Sequence, residues 1–255
     1  MEITGGTTGF SLDAGAAAER IAQLATEPEP REDELPGTIT EPDLTRAAAQ
    51  DLGISEQVSS FTTPYTPGEP RVDNIQLAAD YLDGSIIGPG ERFSLNHDGI
   101  GPRTRARGFG ENGFIEDGEI ISVVGGGVSQ MGTTFMNAAW FAGIDLVEFQ
   151  PHSFYIQRYP MGREATLVWE VLDVVIDNDS PHAILVSTSY TDSSVTVSFF
   201  STDWAEVSSW TSDPFNVVPG EVTDGFDVEF GRTITYPDGT STSEDYFHRY
   251  EPRDE

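Results

Sequence analysis

The chain has 255 residues, 43 of them acidic and 13 basic, for a formal net charge of -30. So acidic a surface repels nucleic acid and anionic membrane, which excludes both as principal partners. Cysteine is absent, which excludes disulfides, thiolate metal sites and a cysteine nucleophile, while 37% hydrophobic and 11% aromatic content suffices for a packed core.

No stretch has the length of a membrane span and no signal peptide is visible, so no direct membrane insertion is expected. The opening MEITGGTTGFSLD reads like the interior of a domain. The expectation is of a longer protein whose export segment lies outside this chain. The acidity fits either work in high salt or membership of an acidic exported proteome, and both readings stay open.

In chain order, Ser11 to Thr26 reads as a short helix capped by Asp13, with Ala17, Ile21 and Leu24 at helical spacing. An acidic, proline-rich connector follows, in which Ile39 suggests a strand of a small sheet. Leu44 to Leu52 reads as a second helix capped by Asp43, and Ser59 to Gly68 as a Ser/Thr/Pro loop anchored by Phe61 and Tyr65. Val72 to Leu82 is amphipathic, with Ile75, Ala78, Ala79 and Leu82 on one face, and Gly84 stops it. Ile86 and Ile87 form a strand, Pro89-Gly90 a turn, and Phe93 to Asn96 a further strand. Gly99 to Gly113 holds the one basic cluster, Arg103, Arg105 and Arg107, whose partners are nearby acids or a bound anion.

Ile120 to Trp140, IISVVGGGVSQMGTTFMNAAW, organises the rest. Ile120, Ile121, Val123 and Val124 read as a buried strand, Gly125 to Gly127 as a turn, and Val128 to Trp140 as a helix. Three successive glycines predict at least one positive φ among them, or a close approach by another backbone or a ligand. A helix start carries free N–H groups and partial positive charge. Ser129 there is either an N-cap or a nucleophile. The motif is neither a serine-hydrolase elbow nor a phosphate loop. Phe135, Trp140 and Phe141 are expected in the core. Beyond Gly143, strands are expected at Ile144 to Phe149, Arg163 to Trp169 and Asp173 to Ile176. His182 to Tyr190 and Val195 to Ser201 read as a hairpin, and Pro237-Asp238-Gly239 as the turn between two strands of Phe226 to Tyr250. The fold class is α+β: short helices early, the glycine-turn helix on a mainly antiparallel sheet, and a β-rich C-terminal half.

Four blocks carry a resemblance: GERFSLN (Gly90 to Asn96), GGGVSQMGTTFMNAAWFAG (Gly125 to Gly143), PHSFYIQRYPMGREATLVW (Pro151 to Trp169) and NDSPHAILV (Asn178 to Val186). In this order they resemble the VanW-like domain family, named for an accessory protein of vancomycin-resistance clusters and widespread in exported or membrane-anchored bacterial proteins. The resemblance implies a VanW-like domain over 57–202. Residues 1–56 are similar to the end of a peptidoglycan-binding-type repeat with an acidic linker, and 203–255 resemble the β extension of actinobacterial-type members. Many members carry cysteine at the position of Ser129 and aspartate at that of Glu164; the serine and glutamate here resemble a large subgroup.

What the resemblance implies is an extracytoplasmic cell-envelope domain that binds or helps remodel peptidoglycan or a related wall polymer. Within it, Ser129, His152 and Glu164 have the residue types of a nucleophile, a base and an orienting carboxylate, the makings of acyl transfer or hydrolysis on a wall peptide. Alternatively, His152 is a histidine at a strand start that bonds a backbone carbonyl. Gly126, Gly127, Gln130 and Arg163 are the candidate oxyanion or ligand-binding residues. No cofactor is called for, and no metal: His97, His152, His182 and His248 show no paired ligand spacing.

Overall fold

The structure, a computed structural model, describes residues 8–40, 45–116 and 119–254. The chain divides into two compact units, residues 1–52 and 53–255. In the first, strand β1 (Gly9–Leu12) precedes helix α1 (Ala14–Leu24), and β2 (Gly37–Thr40) returns antiparallel to β1. Asp13 caps α1 as expected, accepting from the Ala16 amide at 3.0 Å. The expected Asp43 cap and Leu44 lie outside the described residues. Helix α2 (Arg46–Asp51) is instead capped by Thr45, whose hydroxyl accepts from Ala48 N at 3.1 Å.

The second unit opens with β3 (Glu56–Pro64), α3 (Arg71–Leu82), β4 (Ile86–Ile87) and β5 (Arg92–Ser94). The hairpin β6 (Glu111–Glu116) and β7 (Glu119–Val124) then leads through the glycine turn into α4 (Ser129–Phe141). Strands β8 (Asp145–Glu148), β9 (Val175–Asp177), β10 (Ile184–Tyr190) and β11 (Ser194–Ser201) follow. The last are β12 (Glu206–Thr211), β13 (Phe215–Val218), β14 (Gly225–Thr235) and β15 (Ser241–Tyr250). The strands pair antiparallel as β3-β11-β10-β4, β5-β9-β8 and β6-β7. The long strand β14 has β15 on one edge, and β12 and β13 end to end on the other. The architecture is α+β, as the sequence predicts.

Helix α4 is the centre of the core. Met131 to Trp140 are buried without interruption, the signature of a helix surrounded on every side. Phe135 sits between Phe93 and Phe199, with ring centroids 5.7 and 5.3 Å away. Phe135 and Trp140 are fully buried, while Phe141 is half-buried. The buried face of α3, Ile75, Ala78, Ala79 and Leu82, belongs to the same core.

Several expectations need correction. The Ser/Thr/Pro loop at Ser59 to Gly68 is strand β3 as far as Pro64. Its hydroxyls pair across to β11, Ser60 with Ser198 at 3.0 Å and Thr62 with Thr196 at 2.8 Å. On the other face Ser59 donates to Ala138 O and Thr63 pairs with Thr134, both at 2.7 Å, so hydroxyls pin β3 to α4. The strand expected at Phe93 to Asn96 ends at Ser94. A π-helical turn, Leu95–Ile100, follows because side chains capture the backbone: Asp98 accepts from Ser94 N, and Asp173 from Asn96 N. The β6-β7 hairpin is two-stranded, and Ile121, Val123 and Val124 are half-buried rather than buried; Ile120 has no described side chain. Of the basic cluster, Arg105 pairs with Glu111, whereas Arg107 lies over the Tyr81 ring at 3.9 Å. Arg103 faces Trp169 at 6.0 Å, and burial pulls its guanidinium down to about 10.

The strand expected at Arg163 to Trp169 is extended but joins no sheet ladder; its one bridge is Val168 to Leu172. Thr166 N donates to Gln150 O at 2.8 Å, but every second residue takes its backbone partner from a side chain of α4. Ser129 Oγ accepts from Leu167 N at 3.1 Å, Thr133 Oγ1 from Ala165 N at 3.0 Å, and Asn137 Nδ2 donates to Arg163 O at 2.8 Å. The spacings explain the match. Four helical residues rise about 6 Å and two extended residues span about 6.6 Å, so positions 129, 133 and 137 fall opposite 167, 165 and 163. A polar stripe on a buried helix stands in for a neighbouring strand and satisfies backbone groups that burial would leave costly.

The terminal sheet closes on the far end of α4. Arg232, fully buried, donates to Trp140 O and Ile144 O, both at 2.9 Å, and is held by Glu244 at 2.8 Å. A guanidinium thus binds carbonyls at and just beyond the helix C-terminus, where the dipole favours positive charge.

Candidate functional site

The glycine turn, the start of α3, strand β6 and the loop after Pro151 converge on a cleft of about 370 Å³. Gly127, Ser129 and Gln130 come from the turn and the start of α4, Arg71 from α3, Asn112 and Gly113 from β6, and His152, Arg158 and Tyr159 from the loop. Positive φ falls at Gly125 (83°) and Gly127 (94°), as the run of glycines predicts. Gly126 is glycine for the second expected reason: a Cβ there would sit 2.0 Å from Asn112 O. Asn74 fastens the turn, donating to Gly110 O and Gly126 O and accepting from Gly110 N.

Ser129 is the first residue of α4, not its cap. The cap position is Val128, with no side-chain capping bond, and the Ser129 hydroxyl instead accepts the Leu167 amide. The cap reading therefore fails because the turn already runs in helical conformation through Val128. Among the described residues the Ser129 hydroxyl proton has no acceptor, and no hydrogen bond joins Ser129 to an imidazole.

His152 and Glu164 do meet. His152 Nδ1 lies 2.7 Å from Glu164 Oε2, with Glu164 fully buried and His152 nearly so. The second carboxyl oxygen accepts from Tyr250 Oη at 2.5 Å, and that hydroxyl accepts from Gly162 N at 2.8 Å. His152 Nε2 has no hydrogen bond among the described residues, and the residue lines the cleft. The imidazole is also stacked on Tyr159, at 6.0 Å and 20°.

Gln130 lines the cleft but its amide nitrogen is engaged, donating to Thr63 Oγ1 at 2.9 Å and Pro64 O at 3.0 Å. Its oxygen accepts from Arg71 Nη1 at 2.7 Å. Arg163 does not line the cleft. It bonds Asn137 Oδ1 at 3.1 Å and lies 5.1 Å from the Phe141 ring, and burial lowers its guanidinium. Gly126 is likewise behind the lining.

Arg71, Arg158, Tyr159 and Tyr250 were not singled out from the sequence. Arg71 opens an amphipathic helix and there looks like an ordinary exposed charge. In the fold it is mostly buried, bonded to Glu69 at 2.7 Å, with a buried Nη2 that has no partner among the described residues. No group of three His, Asp or Glu side chains suited to a metal ion occurs among the described residues. No helix among them is long and apolar enough to cross a membrane.

The family model described as "VanW like protein" matches residues 70–200. The uncharacterized protein YoaR of Bacillus subtilis (strain 168) is 31% identical over 150 residues, covering 58% of this chain and 49% of that protein. The chain thus spans about half the length of the curated relative it matches. No solved structure matches it. The family match takes in α3, the glycine turn, α4 and the His152–Glu164 pair, more than half of the chain, and the protein belongs to the VanW-like family.

Proposed function

We propose that this chain is an extracytoplasmic cell-envelope domain that binds peptidoglycan or a related wall polymer, and so helps to remodel it, through the cleft at the start of α4. The observation that carries this is a local reversal of charge. In a chain of 13 basic and 43 acidic residues, the cleft presents Arg71 and Arg158 against Glu69 as its one carboxylate. A cation-rich cleft with an imidazole and backbone amides suits a carboxylate-bearing peptide, because guanidinium–carboxylate bonds are strong where water is scarce. Family membership supports the envelope setting.

The test is retention on purified sacculi over a range of salt. Wild-type protein is expected to be retained, and Arg71→Met with Arg158→Met to lower affinity about tenfold or more, since one lost charge-assisted bond is worth about 1.5–3 kcal/mol. Absence of retention at every salt concentration rejects the proposal.

A second reading, acyl transfer or hydrolysis of a wall peptide by Ser129, His152 and Glu164, is favoured by one observation. The oriented imidazole and the serine hydroxyl line the same cleft. Labelling of Ser129 by a phosphonate acyl analogue, lost in His152→Gln, supports it. A serine that is never labelled, with no turnover of stem peptides, removes it.

A further inference from the structure

The family match ends at residue 200, yet the buried carboxylate behind His152 is completed from β15, fifty residues further on. Gly162 N–H can only donate, so Tyr250 Oη must accept there and spend its one proton on Glu164 Oε1. As a carboxylate, Glu164 can only accept through Oε2, and His152 Nδ1 is then the donor. We propose that Tyr250 is a positioning residue of the cleft: through Glu164 it fixes the neutral His152 proton on Nδ1 and leaves the Nε2 lone pair to the cleft.

The surroundings hold this arrangement from several sides. Tyr250 is 1% exposed, packed against Phe226 at 4.9 Å and Tyr155 at 5.4 Å. Burial, with the Glu164 charge and bond, holds its hydroxyl far above the usual phenol range, so it stays a donor. His248, also on β15, bonds the His152 carbonyl at 2.9 Å, and a carbonyl only accepts, so His248 carries its proton on Nε2. Burial lowers His248, which keeps it neutral near pH 7. Glu251 N donates to Ser153 O at 2.7 Å, fixing the backbone beyond His152. Tyr159 stacks on the imidazole, and Arg71 and Arg158 are the cations lining the same cleft.

Replacing Tyr250 by phenylalanine keeps the ring and removes the donor. A fully buried carboxylate left with one partner is costly. The neutral carboxyl then gains: the pair takes up one proton from solvent, the carboxyl donates to Nδ1, and the imidazole carries its own proton on Nε2. The test is nitrogen-15 correlation NMR of the histidine rings in the full chain near neutral pH, with His152 assigned through His152→Gln. Wild type is expected to show Nδ1–H and a bare Nε2, and Tyr250→Phe to make Nε2–H the larger population. A wild-type ring protonated on Nε2 overturns the proposal, whether or not the variant folds. So does a Tyr250→Phe protein with wild-type His152 shifts, even if it melts lower, since a packing role alone lowers stability without moving the proton. The inference rests on the cleft as the working site, but its test uses no ligand, so its failure and failure on sacculi are separate results.

Discussion

Thr133→Val tests whether the polar stripe of α4 replaces a strand. Valine is close to threonine in shape, so the loss is not one of volume. Thr133 Oγ1 accepts from Ala165 N at 3.0 Å and donates to Ala165 O at 3.4 Å, and both residues are fully buried. The weaker second bond counts for little, but the Ala165 amide is left without an acceptor in a dry interior. A stranded buried donor costs about 1–3 kcal/mol, and about 2 kcal/mol is expected here. At about 2–4 °C per kcal/mol for a unit of 150–250 residues, the melting temperature should fall by about 4–8 °C. Urea unfolding followed by tryptophan fluorescence gives the free energy, and hydrogen exchange at Ala165 gives the local effect. Thr62→Val is the control: its hydroxyl pairs with Thr196 on the exposed side of β3, and about 0.5 kcal/mol or less is expected. Equal costs for the two variants, or a Thr133→Val protein as stable as wild type, would refute the account of residues 163–167.

Ser129→Ala should cost about 1–2 kcal/mol through the stranded Leu167 amide and leave retention on sacculi intact; wild-type stability with loss of a wall-directed turnover would instead promote the nucleophile reading. Gly126→Ala places a methyl 2.0 Å from Asn112 O, which is backbone, so strand β6 or the glycine turn must move and the cost should be about 3 kcal/mol, read by thermal unfolding; a loss under 1 kcal/mol contradicts the packing. Arg249 and Asn216 hold Asp227 down to about 2, below its ordinary 3.8, so its contribution is complete above 3.8 and disappears as pH falls through about 2; Asp227→Asn should flatten that acid limb in pH-dependent melting. With a net charge of -30, the melting temperature should rise as monovalent salt goes from tens of millimolar towards molar, and a flat curve would rule out self-repulsion as a destabilising term.

Periodicity made α3 legible, because Ile75, Ala78, Ala79 and Leu82 recur at helical spacing and are in fact fully buried. Turn chemistry did the same for the β10-β11 and β14-β15 hairpins. It failed at β3, where serine and threonine look like loop formers unless one sees that each hydroxyl has a partner across the sheet or on α4. Strands β12 and β13 carry no alternation signal: β12 is largely polar, β13 is a four-residue FNVV run, and both are exposed on much of their surface.

For the site, the residue types and their neighbourhood were readable: glycines before a helix, a histidine after proline, an acid later in the same block. The sequence also carried the family, through motif order alone. Only the tertiary structure decided the geometry. It put positive φ at Gly125 and Gly127 and the close backbone approach at Gly126. It turned Ser129 towards Leu167, engaged the Gln130 amide and placed Arg163 behind the cleft. It also brought Arg71 and Tyr250 to the site from far along the chain. The physical reason is one of range. Local propensity and capping act within a few residues and leave a mark in sequence, whereas a buried carboxylate or amide takes its partner from whatever chain the fold lays beside it.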